Sequence, residues 1–122
     1  MNVTIDRNSL LKPLGHIYSI VERRNTIPIL SNVLIETQAS KISLTATDMD
    51  MDIVEVTGCI ILKQGKVTLS AHTLHDIVRK LPDGAEIKME QVDLNLEVSA
   101  GKSKFTLPTL PVDDYPVMTE ID

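Results

Sequence analysis

Apolar and polar positions along the 122-residue chain change period twice, each time in the same order. Val3-Thr4-Ile5-Asp6 alternates with the period of two that marks a half-buried strand. From Asn8 onward Leu10, Leu14, Ile17 and Val21 keep one apolar stripe at helical spacing. Val67-Thr68-Leu69-Ser70 alternates again, and Leu74 and Val78 then follow at helical spacing. An offset of 64 residues carries Val3 to Val67, Ile5 to Leu69, Leu10 to Leu74, Leu14 to Val78 and Ile17 to Leu81. Each half therefore opens as strand, polar cap, helix.

The stretches after each helix are also alike. Leu30–Thr37, Lys41–Thr47 and Met51–Thr57 follow the first, and Glu86–Glu90, Leu94–Ser99 and Lys104–Leu107 follow the second. All six alternate or are rich in β-branched residues, and turn chemistry separates them at Ala39-Ser40, Asp48 to Asp50, Gly65, Pro82-Asp83-Gly84 and Ala100-Gly101. The pattern predicts a β-α-β-β-β unit written twice, with two helices and eight strands. Two helices among mainly antiparallel strands make an α+β domain with both helices on one sheet face. Pro13, inside the first helical stripe, should kink that helix or confine it to its early turns, but the stripe continues across it to Val21 and the helix is kept; Pro82 ends the second.

Composition narrows the chemistry. The chain is 43% hydrophobic and 24% charged, as expected of one globular domain spanning residues 1–122. Phe105, Tyr18 and Tyr115 are its only aromatic residues, so the core is aliphatic and single-strand binding by base stacking lacks its platforms. The single cysteine, Cys59, rules out an internal disulfide framework, and its apolar surroundings from Val56 to Leu62 suggest a buried strand position. The N-terminus lacks the charged and apolar regions of a signal peptide. No apolar run approaches the roughly 20 residues that span a bilayer, so the expected location is cytoplasmic, with no membrane contact.

Net charge is −5, but it is unevenly placed. Residues 7–24 carry +3 and residues 72–81 carry +1, which leaves −9 on the strands and loops. Charges on a helix are usually just a solvated face. Two equivalent basic helices inside an acidic chain point instead to a surface for phosphates, contacted without regard to base sequence. The acidic remainder would restrict such binding to that face.

Other motifs fail on inspection. Asp48-Met49-Asp50-Met51-Asp52 resembles the start of a calcium loop, but Ile53 and Cys59 stand where that loop needs glycine and an acid. His72 and His75 have the i, i+3 spacing of a metal pair without a third ligand nearby. No nucleophile elbow or phosphate loop is present, so no catalytic residue, metal or cofactor is assigned. Lys102 and Lys104, with Phe105 and Leu107, mark a late strand as either a protected edge or a subunit contact.

Several segments carry a resemblance that spans the chain in order. They are Arg24-Asn25-Thr26-Ile27-Pro28-Ile29-Leu30-Ser31-Asn32-Val33-Leu34, Leu44-Thr45-Ala46-Thr47-Asp48-Met49-Asp50-Met51, Leu81-Pro82-Asp83-Gly84-Ala85-Glu86, and Phe105-Thr106-Leu107-Pro108 with Asp114-Tyr115-Pro116. Together they resemble the N-terminal domain of the bacterial replicative sliding clamp, the β subunit of DNA polymerase III. The resemblance implies a DNA-clamp fold and a non-catalytic processivity factor. It implies a head-to-tail homodimer of three-domain chains closed around duplex DNA, served by a clamp loader and a replicative polymerase. It places Arg24, Lys12, Arg79 and Lys80 on the DNA-facing side. It places Thr73, Ile77, Lys102, Lys104, Phe105 and Leu107 in the subunit interface, with Thr73 standing where some members carry a basic residue. The second and third clamp domains, and the peptide cleft they hold, are absent from this chain, and the isolated domain is expected to be monomeric. The rival reading is a protein-interaction module that uses exposed strand edges.

Arg24→Glu in the full-length subunit is predicted to weaken DNA retention and leave dimerisation intact. Unchanged retention at moderate salt would remove Arg24 from the DNA-facing set.

Overall fold

A computed structural model describes residues 1–20, 32–47, 52–110 and 112. Its elements run β1 (Asn2–Asp6), α1 (Arg7–Ile20), β2 (Asn32–Gln38), β3 (Lys41–Thr47), β4 (Asp52–Gly58), β5 (Ile60–Lys63), β6 (Lys66–Ser70), α2 (Ala71–Lys80), β7 (Glu86–Val92), β8 (Asn95–Ala100) and β9 (Ser103–Pro108). The described strands form two antiparallel sheets, ordered β5-β1-β7-β8-β9 and β4-β3-β2-β6.

The duplication is present, and it is interlocked. The first strand of each half belongs to the other half's sheet. β1 lies along β7, with Val3 opposite Met89 and Ile5 opposite Ile87. β6 lies along β2, with Leu69 opposite Val33 and Val67 opposite Ile35. These eight side chains are buried on the faces that meet the helices.

Polar caps at equivalent positions start the two helices. The Asp6 carboxylate accepts from the amides of Asn8 and Ser9 (3.0 and 3.2 Å), and the Ser70 hydroxyl oxygen accepts from the Thr73 amide at 3.2 Å. Each satisfies N–H groups that the first helical turn leaves without partners. Leu10, Leu14 and Ile17 of α1 and Ala71, Leu74 and Val78 of α2 are buried against the sheets. The helices lie side by side and antiparallel: Arg7 at the start of α1 bonds the last turn of α2, and Tyr18 near the end of α1 meets the first turns of α2. Leu81, held extended by the following proline, closes α2.

Three expectations need correction. Pro13 does not confine α1, which runs through it to Ile20. A proline at 13 removes the amide that would bond the Ser9 carbonyl; the Thr57 hydroxyl of β4 donates to that carbonyl at 3.2 Å. The described strands number nine rather than eight, because the stretch after residue 52 breaks at Cys59. β4 stays in one sheet, while β5 crosses to the other and pairs with β1, Thr4 opposite Ile60. Cys59 is therefore a half-buried junction residue between two strands, its amide bonded to the Ser40 carbonyl at 3.0 Å. Burial raises the thiol's pKa, so it is poorly suited to nucleophilic chemistry.

The same crossing recurs in the second half. Beyond β9, Leu110 bridges Thr68 of β6, and Thr68 is the counterpart of Thr4. The 64-residue offset holds through the helices and becomes 54 for the hairpins, β2 to β7 and β3 to β8, because α1 and the connection after it are longer.

Thr57→Val is predicted to lower stability by about 0.5–1.5 kcal/mol, the net worth of one solvent-accessible hydrogen bond. In a Pro13→Ala background, where residue 13 regains its amide, the penalty should shrink. Equal penalties in both backgrounds, measured by chemical denaturation, would disprove the compensation.

Candidate nucleic-acid interface

With their apolar stripes turned to the sheets, the two helices present their remaining flanks to solvent. Lys12, Arg79 and Lys80 are all exposed there. Lys12 lies on the flank of α1 beside β4, in a cleft with Asn8, Ser9, His16, Glu55 and Thr57. Arg79 stands next to the seam between the helices and reaches Asp76 at 3.5 Å. Lys80 shares the outer stripe of α2 with Thr73 and Ile77, at helical spacing. Among the described residues neither Lys12 nor Lys80 has an ion-pair partner. The cations are thus spread across the helix layer rather than gathered in one pocket, an arrangement that suits a track of phosphates better than a single anion. Arg24 lies outside the described residues.

Not every cation counted in the basic helices is available. Arg7 is largely buried, its side chain 12% exposed and committed to hydrogen bonds at the end of α2 and in the turn beyond. His16 is drawn to the acidic side, its Nδ1 lying 3.2 Å from Glu55.

The seam itself is aromatic. Tyr18 stacks on His75 (ring centroids 4.2 Å apart) and lies tilted against His72 at 4.6 Å. His75 Nδ1 is buried with no hydrogen-bond partner, and burial pulls the pKa of this imidazole below its ordinary value; Asp76 opposes the shift and Arg79 adds to it. The spacing that suggested a metal pair therefore serves helix–helix packing. Among the described residues no group of three His, Cys, Asp or Glu side chains could hold a metal ion.

The late-strand residues sit at one margin of the domain. Among the described strands β9 is the edge of its sheet, paired with β8 alone. Lys102 lies in the turn before it, and Lys104 is exposed on it with Nζ 3.2 Å from Glu97. Phe105 keeps 38% of its surface exposed, whereas Leu107 is buried in the domain's own core. Thr73 is exposed and Ile77 half-buried on α2. A contact at this margin would meet Phe105 and the lysines directly and Leu107 only from beneath.

The opposite margin carries a feature that the sequence analysis did not single out. Val54, Val56, Ile60 and Leu62 form an outward row along β4 and β5, with 53% to 63% of each residue exposed. Both strands are sheet edges. Exposed and covered residues alternate from 53 to 62, and on β4 hydropathy points the wrong way: Val54 and Val56 face out while Glu55 and Thr57 are partly covered.

An interlocked β-α-β-β-β duplication, with paired basic helices on one side and open strand edges at both margins, defines a clamp-type domain. Residues 1–119 match the model of the family described as "DNA polymerase III beta subunit, N-terminal domain", and the chain belongs to that family. It is 50% identical over 121 residues to the beta sliding clamp of Caulobacter vibrioides strain NA1000, covering 98% of this chain and 32% of that protein. A solved structure of Caulobacter crescentus pol III beta superposes with a TM-score of 0.94 at 51% identity, covering 98% of this chain and 32% of that one. The DNA polymerase III subunit beta from Pseudomonas aeruginosa also gives 0.94, at 40% identity over 98% of this chain and 33% of its own. The chain thus spans about a third of the length of these relatives. No described helix is long and apolar enough to cross a membrane.

The half-buried His75, with its Nδ1 enclosed and its pKa lowered, predicts a pH step in stability. The unfolded imidazole takes a proton near its ordinary pKa and the folded one only below it, so stability is complete above pH ~6.5 and falls as the pH drops through that value. His75→Gln should flatten this step in thermal melts between pH 8 and 5. An undiminished step in the variant would place its origin elsewhere.

Proposed function

We propose that residues 1–122 form one domain that serves as one arc of a sliding clamp, a ring that encircles duplex DNA without sequence preference and keeps the replicative polymerase on its template. The observation that carries this reading is the helix pair, an exposed basic layer on a chain whose net charge is −5. Lys12, Arg79 and Lys80, with Arg24, face the DNA backbone; the acidic remainder repels it and keeps the duplex in the hole. Contacts of this kind hold weakly and allow sliding, and retention comes from ring closure. The domain's part is mechanical and non-catalytic, needs no cofactor or metal, and belongs to the cytoplasm where the chromosome is copied.

The two margins are the ends of the arc. At one end, Thr73, Ile77, Lys102, Lys104 and Phe105, with Leu107 beneath them, make half of a head-to-tail homodimer interface. At the other, the exposed row from Val54 to Leu62 abuts a neighbouring clamp-type domain within the ring. The apolar edges that favour a protein-interaction module thus find their place in the ring itself. Clamp loader and polymerase act on the assembled ring, while the isolated domain stays monomeric.

Two measurements test this reading on the full-length protein. Once loaded, it should stay on nicked circular DNA and run off when that DNA is linearised; equal retention on both forms excludes topological binding. Ile77→Asp or Phe105→Asp should convert dimers to monomers, because each places an unpaired charge in an apolar contact. Dimers persisting in sedimentation would sink the interface assignment.

A further inference from the structure

Arg7 sits at the start of α1, yet its side chain serves the far end of α2. Nε donates to the Val78 carbonyl at 3.3 Å and Nη2 to the Arg79 carbonyl at 2.9 Å. Nη1 donates to Asp83 at 2.8 Å and to Asn8 at 2.9 Å, and the Arg7 amide bonds the Ala85 carbonyl at 2.8 Å. Four of the five guanidinium N–H groups are thereby committed, in a side chain that is mostly buried. Two of the four acceptors are last-turn carbonyls of α2, which have no partners within the helix and carry the negative end of its dipole. A cation there stabilises the helix end and fixes its direction.

We infer that Arg7 is a positioning residue for DNA contact: it touches no phosphate, but it holds the last turn of α2 so that Arg79 and Lys80 project from the helix layer at a fixed place. The inference rests on the proposal that α2's basic end faces the duplex. Its basis is geometric. The carbonyl gripped by Nη2 belongs to Arg79 itself, and the grip on Val78 shares its acceptor with the Leu81 amide that closes the helix. Beyond the helix's own ladder and the burial of Val78, the contacts that steady this turn without the clasp are the Leu81 amide bond at 3.1 Å and the exposed Asp76 contact. The fork geometry matters as much as the charge. A lysine at position 7 would keep the charge but could not span two main-chain carbonyls and Asp83 at once.

The test uses the full-length protein and a short duplex, with affinity read by fluorescence anisotropy across a salt series. Thermal melts confirm that each variant is folded at the assay temperature. Arg7→Lys should bind several-fold more weakly than the parent, although no charge is lost; Arg7→Ala should bind at least as weakly. In an Arg79→Ala, Lys80→Ala background, which should lower the salt slope by about one for each lost phosphate contact, Arg7→Lys should make no further difference. Should Arg7→Ala fail to fold, Arg7→Lys carries the comparison alone. Parental affinity in Arg7→Lys overturns the inference, and so does a loss that persists undiminished in the doubly substituted background. If the Arg79→Ala, Lys80→Ala protein binds like the parent, the DNA-facing reading of α2 falls, and this inference falls with it.

Discussion

The constraint on which the rest depends is the exchange of first strands between the two halves. β1 completes the sheet of the second half and β6 that of the first, so neither half can bury its apolar face alone. Val3 and Ile5 supply core to β7 across the ladder, and Val67 and Leu69 supply it to β2. Because each helix follows directly on its exchanged strand, the exchange also brings the two helices together on one side. A basic layer exists there only because the duplication is interlocked; two independent halves would place their helices without reference to each other.

Much of this was legible in the residues. The offset from Val3 to Val67 and from Leu10 to Leu74 is a repeat of hydrophobic phase, and phase survives substitution because burial, not identity, maintains it. Asp6 and Ser70 could be read as caps because capping is local chemistry. What could not be read depends on partners distant in sequence. Pro13 was expected to kink or shorten the first helix; α1 runs on to Ile20, and the Ser9 carbonyl finds a hydroxyl on β4. The break at Cys59 was invisible because both sides of it are apolar and β-branched, so hydropathy does not change where the chain changes sheets.

The candidate site divides along the same line. Lys12, Arg79 and Lys80 emerged from counting charge by helix, and the fold leaves them exposed. Arg7 entered that count with equal weight although its guanidinium is turned inward. A sum of charges cannot distinguish a cation offered to solvent from one bound by carbonyls 71 and 72 positions away. The row from Val54 to Leu62 shows the converse: apolar side chains to which the chain itself gives no cover. Asp52 and Glu55 on β4 and Lys63 on β5 are the charges these edges carry, and the apolar row stays exposed between them. Each half thus ends in an edge strand with apolar surface to cover, and those edges face opposite ends of the domain.

The bridge from Leu110 to Thr68 has a mechanical consequence. Past β9 the chain is fastened again, the Leu110 amide to the Thr68 carbonyl at 3.0 Å and the Thr109 amide and hydroxyl both to the Leu94 carbonyl. Tension arriving from beyond residue 110 is therefore carried first into β6, a strand zipped to β2 and leading straight into α2. It does not begin by peeling β9 from its sheet. A pull on the chain past residue 110 therefore meets one edge strand, β6, before it reaches the other, β9.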